Sequence, residues 1–286
     1  MINLSTIKKL NVPFVESPIF KELILSRKKN KLSSLAKSFN KNGYVVIDLN
    51  LSKNYLNHVI KDILRLEIKS DTKKNPEIYH YNENPRIVEG YKKSKFIKGL
   101  CLNKKIISLL NYFYEKKPVP INSINFIKGT NQPLHSDYIH FSSNPHKYLA
   151  AAWIALEKTD ARNGAVIVVP GSHKMELVDY SLFNLPTPTT INELSNYYST
   201  YEKYVKKIIK INKLRTKTVC MKAGQALIWA ANLLHGGKKI MDKKKTRLSQ
   251  VIHYHFENCK FFYNPGFSNP MEGKFAYRNI KSLKIK

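Results

Sequence analysis

Leu149-Ala-Ala-Ala-Trp-Ile-Ala-Leu156, the pair Asn163-Gly164 and then Ala165-Val-Ile-Val-Val169 decide the fold of this chain. Two short apolar runs separated by a turn pair that accepts left-handed backbone read as two strands joined by a hairpin. Working outward, residues 124–127, 218–221, 226–229 and 248–256 repeat the same texture of brief apolar segments between turn signals. Many short strands at this spacing predict a double-sheet jelly roll, a mainly β core.

Upstream the period changes from two to 3.6. Leu32, Leu35, Ala36 and Phe39 recur at helical spacing with Gly43 as a stop. Residues 44–49 form one early strand. Leu56, Val59, Ile60, Ile63 and Leu64 mark a helix over 55–68, and another around 106–113 ends before Pro118. Between His173 and Thr218 the strand pattern breaks at Pro186 and Pro188 and resumes as a Tyr-rich helical stretch with Tyr197, Tyr198, Tyr201 and Tyr204, as a lid or accessory helix would. The expected layout is a single domain with flanking α-helices. Residues 1–118 form a largely helical flank, 119–174 and 217–258 the core, 175–216 a lid-like insertion and 259–286 a C-terminal extension.

Composition narrows the class. The run from Leu149 to Leu156 is far short of the roughly 20 residues of a membrane span, so no membrane association is expected. The N-terminus lacks the apolar core of a secretory signal, and Ser282-Leu-Lys-Ile-Lys286 is not a peroxisomal address, so a cytoplasmic location is expected. Cys101, Cys220 and Cys259 are odd in number and scattered, which fits neither a disulfide framework nor a zinc knuckle. The net charge of +29 raises an alternative function, a basic nucleic-acid-binding or nucleic-acid-modifying protein. The excess is lysine spread along the chain, without clustered arginine and interleaved aromatics, so a solvated surface is the preferred reading and nucleic acid is not an expected partner.

The chemistry sits in two segments. Gln132-Pro-Leu-His-Ser-Asp-Tyr138 places His135 and Asp137 at i and i+2, which on a strand share one face. A second histidine, His235, ends a strand that leads into Gly236-Gly237. Two histidines and a carboxylate on one side of a metal make the facial triad of non-haem iron(II) oxygenases. His140 is the rival third ligand, but an i, i+2, i+5 set cannot all face one way on a regular strand, so His235 is preferred. Twelve residues past His235 come Arg247 and Ser249, again i and i+2, offering a planar fork and a hydroxyl to a carboxylate.

Four segments together resemble the phytanoyl-CoA dioxygenase family of 2-oxoglutarate oxygenases. They are Gln132-Pro-Leu-His-Ser-Asp137, Trp153-Ile-Ala-Leu-Glu157, Asn163-Gly-Ala-Val-Ile-Val-Val-Pro-Gly-Ser-His-Lys174, and Ala226-Leu-Ile-Trp-Ala-Ala-Asn-Leu-Leu-His-Gly-Gly237 running on to Arg247-Leu-Ser249. The resemblance implies a double-stranded β-helix that holds Fe(II) through His135, Asp137 and His235, with Arg247 and Ser249 on 2-oxoglutarate. It further implies consumption of 2-oxoglutarate and O2 to give succinate, CO2 and an oxidised substrate. Related halogenases replace the ligand carboxylate with a small residue. Asp137 is present, so hydroxylation is favoured.

The resemblance also suggests Asn125 as a polar partner of the co-substrate, and Tyr138, His140 and Trp153 as substrate contacts. Trp153 reads equally well as core packing. His58 lies on a helix that supplies core, and His173 is expected to hydrogen-bond locally. His253 and His255 share the strand face of Arg247 but lie about 20 Å along that strand, so they read as structural. Gly224, Gly236 and Gly237 read as turn residues. The substrate is expected to be a small molecule, and lysine-rich stretches 203–213 and 238–245 suggest that it is anionic.

Overall fold

The computed structural model describes residues 11–68, 78–81, 84–176 and 188–263, with positions 183, 185, 186, 268, 273 and 277. Residues 1–10, most of the expected C-terminal extension and part of the expected insertion lie outside the described residues.

Helices α1 (Phe20–Leu25), α2 (Lys31–Asn42), α3 (Lys53–Ile68), α4 (Lys95–Cys101) and α5 (Lys104–Tyr114) occupy the first part of the chain. Their starts follow local chemistry. Asn30 and Ser33 form a reciprocal capping box at α2, and Asn103 accepts from the amides of Lys105 and Ile106 at α5. The stop at Gly43 is where the sequence places it, at φ 80°. Packing adds a second reason: a Cβ there would lie 2.6 Å from Nδ1 of His173.

The main antiparallel sheet runs β1 (Tyr44–Asp48), β9 (Gln225–Ala230), β6 (Leu149–Ala155), β11 (Ser249–Phe256), β4 (Pro118–Phe126), β3 (Asn84–Val88), β2 (Ile78–Tyr81). A smaller sheet, β10 (His235–Gly237), β7 (Val166–Val168), β8 (Lys217–Val219), packs against it, and β12 (Lys260–Tyr263) pairs with β5 (Phe141–Asn144). Helix α6 (Ile191–Ile211) fills the interval before β8.

Strand β6 shows how alternation builds two cores. Ala150, Ala152 and Ile154 join Ile228 and Ile252 against Leu110 and Phe113 of the helical layer. Ala151, Trp153 and Ala155 join Leu227, Val251 and Val166 between the two sheets. A strand buried on both faces reads as an unbroken apolar run, which is why Leu149 to Leu156 stands out. The fold is the expected jelly roll, with helices on its outer face.

Two details differ from expectation. Asn163-Gly164 does turn the chain, with Gly164 at φ 83°, but the flanking strands β6 and β7 belong to different sheets. The turn is therefore a crossover between layers, not a hairpin. Besides the expected early strand β1, the N-terminal segment lends β2 and β3 to the main sheet. These two are short, β2 lies at the sheet edge, and β3 contains Asn84 and Pro85, a composition that hides strand character.

Candidate metal centre

His135 and His235 meet across an isolated antiparallel bridge, each backbone amide donating to the other's carbonyl at 2.9 Å. Asp137 does not continue a strand as expected. It opens a single 3-10 turn, residues 137–139, and its amide donates to the Ala231 carbonyl at 2.9 Å. The effect on the side chains is the one expected of a shared strand face: one donor atom each from His135, Asp137 and His235 lies within 4.8 Å of the others, all buried. His140 is outside this group, so the structure brings His235 and not His140 to the other two.

The donors are oriented. Nδ1 of His135 lies 2.8 Å from the Pro133 carbonyl and Nδ1 of His235 lies 2.9 Å from the Leu233 carbonyl. A carbonyl can only accept, so Nδ1 carries the proton and each Nε2 presents its lone pair to the cavity. The Gln132 amide donates to Nε2 of His135 at 3.0 Å and accepts from Arg86 at 3.1 Å. Trp229 Nε1 donates to Asp137 Oδ2 at 2.8 Å. Burial opposes ionisation of Asp137, yet the histidines 235 and 253 beside it hold its pKa well below the usual carboxylate range. Burial, with His235 and His140 adding to it, drives His135 far down as well. A neutral His135 and an ionised Asp137 are the protonation states in which these two groups can ligate a divalent cation.

Gly236 and Gly237 lie in β10 and make close approach possible. A Cβ on Gly236 would fall 2.7 Å from the Gln132 carbonyl oxygen. The expected turn is absent, and close contact with the 130–133 segment is the reason for glycine.

A cavity of about 350 Å³ opens between the sheets above this cluster. Arg247 lies in its wall, 2% exposed, with its guanidinium carbon 5.2 Å from the Trp153 ring centre. Nη1 donates to the Gly164 carbonyl at 2.8 Å, while the buried Nε has no hydrogen-bond partner among the described residues. The segment is fixed by Glu157, which accepts from the Leu248 amide and the Thr246 hydroxyl. Burial, and the neighbouring Arg86, lower the Arg247 pKa to about 10, so it keeps its charge at neutral pH.

The remaining candidates divide. Trp153 and His140 line the cavity, and burial pushes the His140 pKa down to about 4. Asn125 does not: β4 alternates, so Asn122, Ile124 and Phe126 face the cavity while Asn125 points into the helical layer and donates to Gln250 at 3.2 Å. Tyr138 packs with Ile121, Leu149 and Phe261 away from the cavity. Ser249 is fully buried and donates to the Arg247 carbonyl at 3.2 Å instead of sharing the cavity with its guanidinium. Arg247 precedes β11, so the i, i+2 rule of a regular strand does not govern this pair.

His173 hydrogen-bonds the Asn40 carbonyl at the end of α2, a distant partner and not a local one. His253 overturns its structural reading. Its Nε2 lies 3.4 Å from Asp137 Oδ1 and its Nδ1 lies 2.9 Å from Asn122 Oδ1. The cavity extends along β11 from Arg247 through Val251 to His253, so distance along the strand does not separate His253 from the site. The even spacing Val251, His253 was the available signal. His255 lies tilted beside Phe261, and His58 stacks on Phe96 at 4.5 Å.

A jelly roll that gathers two histidines and an aspartate between its sheets, facing a buried arginine, defines the architecture of the non-haem iron oxygenases. The chain belongs to the phytanoyl-CoA dioxygenase family, whose model matches residues 39–247. It is similar to human peroxisomal phytanoyl-CoA dioxygenase, 24% identical over 221 residues, which cover 77% of this chain and 56% of that protein. It spans about half the length of the curated relatives it matches. Among solved structures it is similar to the non-heme alpha ketoglutarate dependent carbocyclase SnoK from nogalamycin biosynthesis, with TM-score 0.64 and 17% identity over 92% of this chain and 96% of that one. EctD from S. alaskensis, solved with 2-oxoglutarate and 5-hydroxyectoine, aligns with TM-score 0.62 and 17% identity over 82% of this chain and 80% of that one. The structural likenesses concern the fold. None of these relatives lends support to the nucleic-acid reading of the charge.

Proposed function

We propose that this protein is an iron(II)- and 2-oxoglutarate-dependent oxygenase that hydroxylates a small or medium-sized organic substrate and releases succinate and CO2. The carrying observation is the convergence of the His135, Asp137 and His235 donor atoms within 4.8 Å, with both imidazoles turned by carbonyl contacts to present Nε2.

Those three residues would hold the iron, which together with 2-oxoglutarate and O2 supplies the oxidising power for C–H hydroxylation. Arg247, with its unpaired Nε and its guanidinium against Trp153, would hold the distal carboxylate. Phe126, Trp153 and Val166 wall that end with apolar surface and keep water from it. Asp137 leaves no ligand gap for a halide, which supports hydroxylation.

An anionic substrate is part of this reading. Arg86 and Arg247 line the cavity, and the one carboxylate in its described lining is Asp137, which the metal would neutralise. Turnover indifferent to substrate charge would remove that part. No helix among the described residues is long and apolar enough to cross a membrane. A cytoplasmic location also belongs to this reading, supported by three cysteines that form no disulfide.

The test is anaerobic titration with Fe(II) and 2-oxoglutarate, which should produce a charge-transfer band, followed by succinate release in air. Asp137→Ala should lose the band while staying folded. Wild-type protein that binds neither iron nor co-substrate would sink the proposal.

A further inference from the structure

Helix α6 lies in the stretch read as a lid or accessory helix, and its contacts reach the residues that neighbour the metal ligands in sequence. Leu194, Tyr198 and Tyr201 fall at i, i+4 and i+7, one stripe of the helix. Leu194 and Tyr198 line the cavity, and the Tyr198 hydroxyl lies 3.2 Å from Nδ1 of His140. Tyr201 goes deeper. It is 1% exposed, and its hydroxyl accepts a hydrogen bond from the Ser136 amide at 2.9 Å.

Ser136 stands between His135 and Asp137, and the three consecutive amides are tethered in alternation. Those of His135 and Asp137 donate to His235 and Ala231, on the segment that carries the third ligand. The middle one donates to α6. The ligand segment is thus held from both sides, and loss of the middle tether leaves a buried N–H without its partner. Apart from that bond, Tyr197, Tyr201 and Val205 share an apolar cluster with Ile139 and Leu234 that anchors the helix on the core.

We propose that Tyr201 is a positioning residue for the metal centre, its hydroxyl acting through the Ser136 amide to keep the His135 and Asp137 donors facing His235. Helix α6 is then a structural part of the site, with a substrate-facing row and a row that braces the ligands. The inference rests on the metal reading above.

Anaerobic calorimetric titration with Fe(II) tests it on wild type, Tyr201→Phe and Val205→Ala. Tyr201→Phe keeps the ring and removes the acceptor; it should weaken Fe(II) binding about 10- to 100-fold, the scale of lost ligand-orienting contacts. Val205→Ala opens a cavity under the same helix without touching the hydroxyl, and should lower the melting temperature with Fe(II) affinity within about twofold of wild type. Tyr201→Phe binding as wild type does, or Val205→Ala weakening iron equally, would overturn the assignment to the hydroxyl. If Tyr201→Phe does not fold, hydrogen exchange of the Ser136 amide in metal-free wild type decides. Protection supports the tether, and exchange at the rate of an exposed amide refutes it. Wild type that binds no Fe(II) removes the metal reading and this inference together. Wild-type binding with an unaffected Tyr201→Phe removes this inference alone.

Discussion

Trp229 holds Asp137 from below: its indole Nε1 donates to Oδ2 at 2.8 Å, leaving Oδ1 turned toward His235 at 3.6 Å. Oδ1 is then the carboxylate oxygen that would be left to a metal. Trp229→Phe keeps most of the buried ring volume and removes the donor. Fe(II) affinity should fall about 10- to 100-fold, with the far-ultraviolet circular dichroism unchanged. Equal affinities in anaerobic titrations would show that the indole only packs.

Arg247 offers a different test because its buried Nε has no hydrogen-bond partner among the described residues. Arg247→Lys preserves charge and loses the planar fork. The KM for 2-oxoglutarate should rise by about 30-fold, equivalent to about 2 kcal/mol of charge-assisted hydrogen bonding. Fe(II) affinity measured without co-substrate should not move, which separates the two halves of the cavity.

The ligand set was legible because His135, Asp137 and His235 sit in segments whose local pattern marks them, and Arg247 follows at a readable interval. Asn125 and Ser249 fall outside the cavity for different causes. Ser249 opens β11 while Arg247 precedes it, so strand alternation does not hold the two side chains together. For Asn125, facing alternates residue by residue, and a site inferred without the strand's register assigns either parity equally well. In β4 the cavity takes Asn122, Ile124 and Phe126, so Asn125 falls on the helical side. Arg86 reaches Gln132 across 46 positions and Trp229 reaches Asp137 across 92, and no local spacing announces either contact. The Tyr201 contact with Ser136 spans 65 positions and belongs to the same class.

Gly43 links the helical layer to the core, and its substitution should be costly for two separable reasons. Its φ of 80° disfavours any Cβ, and that Cβ would meet the His173 ring at 2.6 Å. Gly43→Ala should lose about 2–4 kcal/mol of stability from left-handed strain plus overpacking. Gly43→Ala combined with His173→Ala should recover only the His173 share of the packing cost, because Leu233 Cδ1 still lies 2.8 Å from the added Cβ and the strain is untouched, measured as a double-mutant cycle by urea unfolding.

His173 should also make the fold acid-sensitive. Burial, with Lys174 adding to it, pushes its pKa from 6.5 down to about 4, while the Asn40 carbonyl partly opposes the shift. Above pH 6.5 the ring is neutral in both folded and unfolded chains, so this contribution to stability is fully present. As pH falls from 6.5 toward 4 the unfolded chain gains a proton that the folded one refuses, and stability drops; below about 4 both are charged and the loss levels off. The full loss is about 3 kcal/mol. Glutamine keeps an amide donor for Asn40 and cannot titrate. Urea unfolding of metal-free protein at pH 7.5 and 4.5 should therefore show wild type losing about 2–3 kcal/mol more than His173→Gln on acidification. Equal losses in the two proteins would mean that the His173 ring takes up its proton in the fold as readily as in the unfolded chain, the Asn40 carbonyl stabilising the cation enough to cancel its burial.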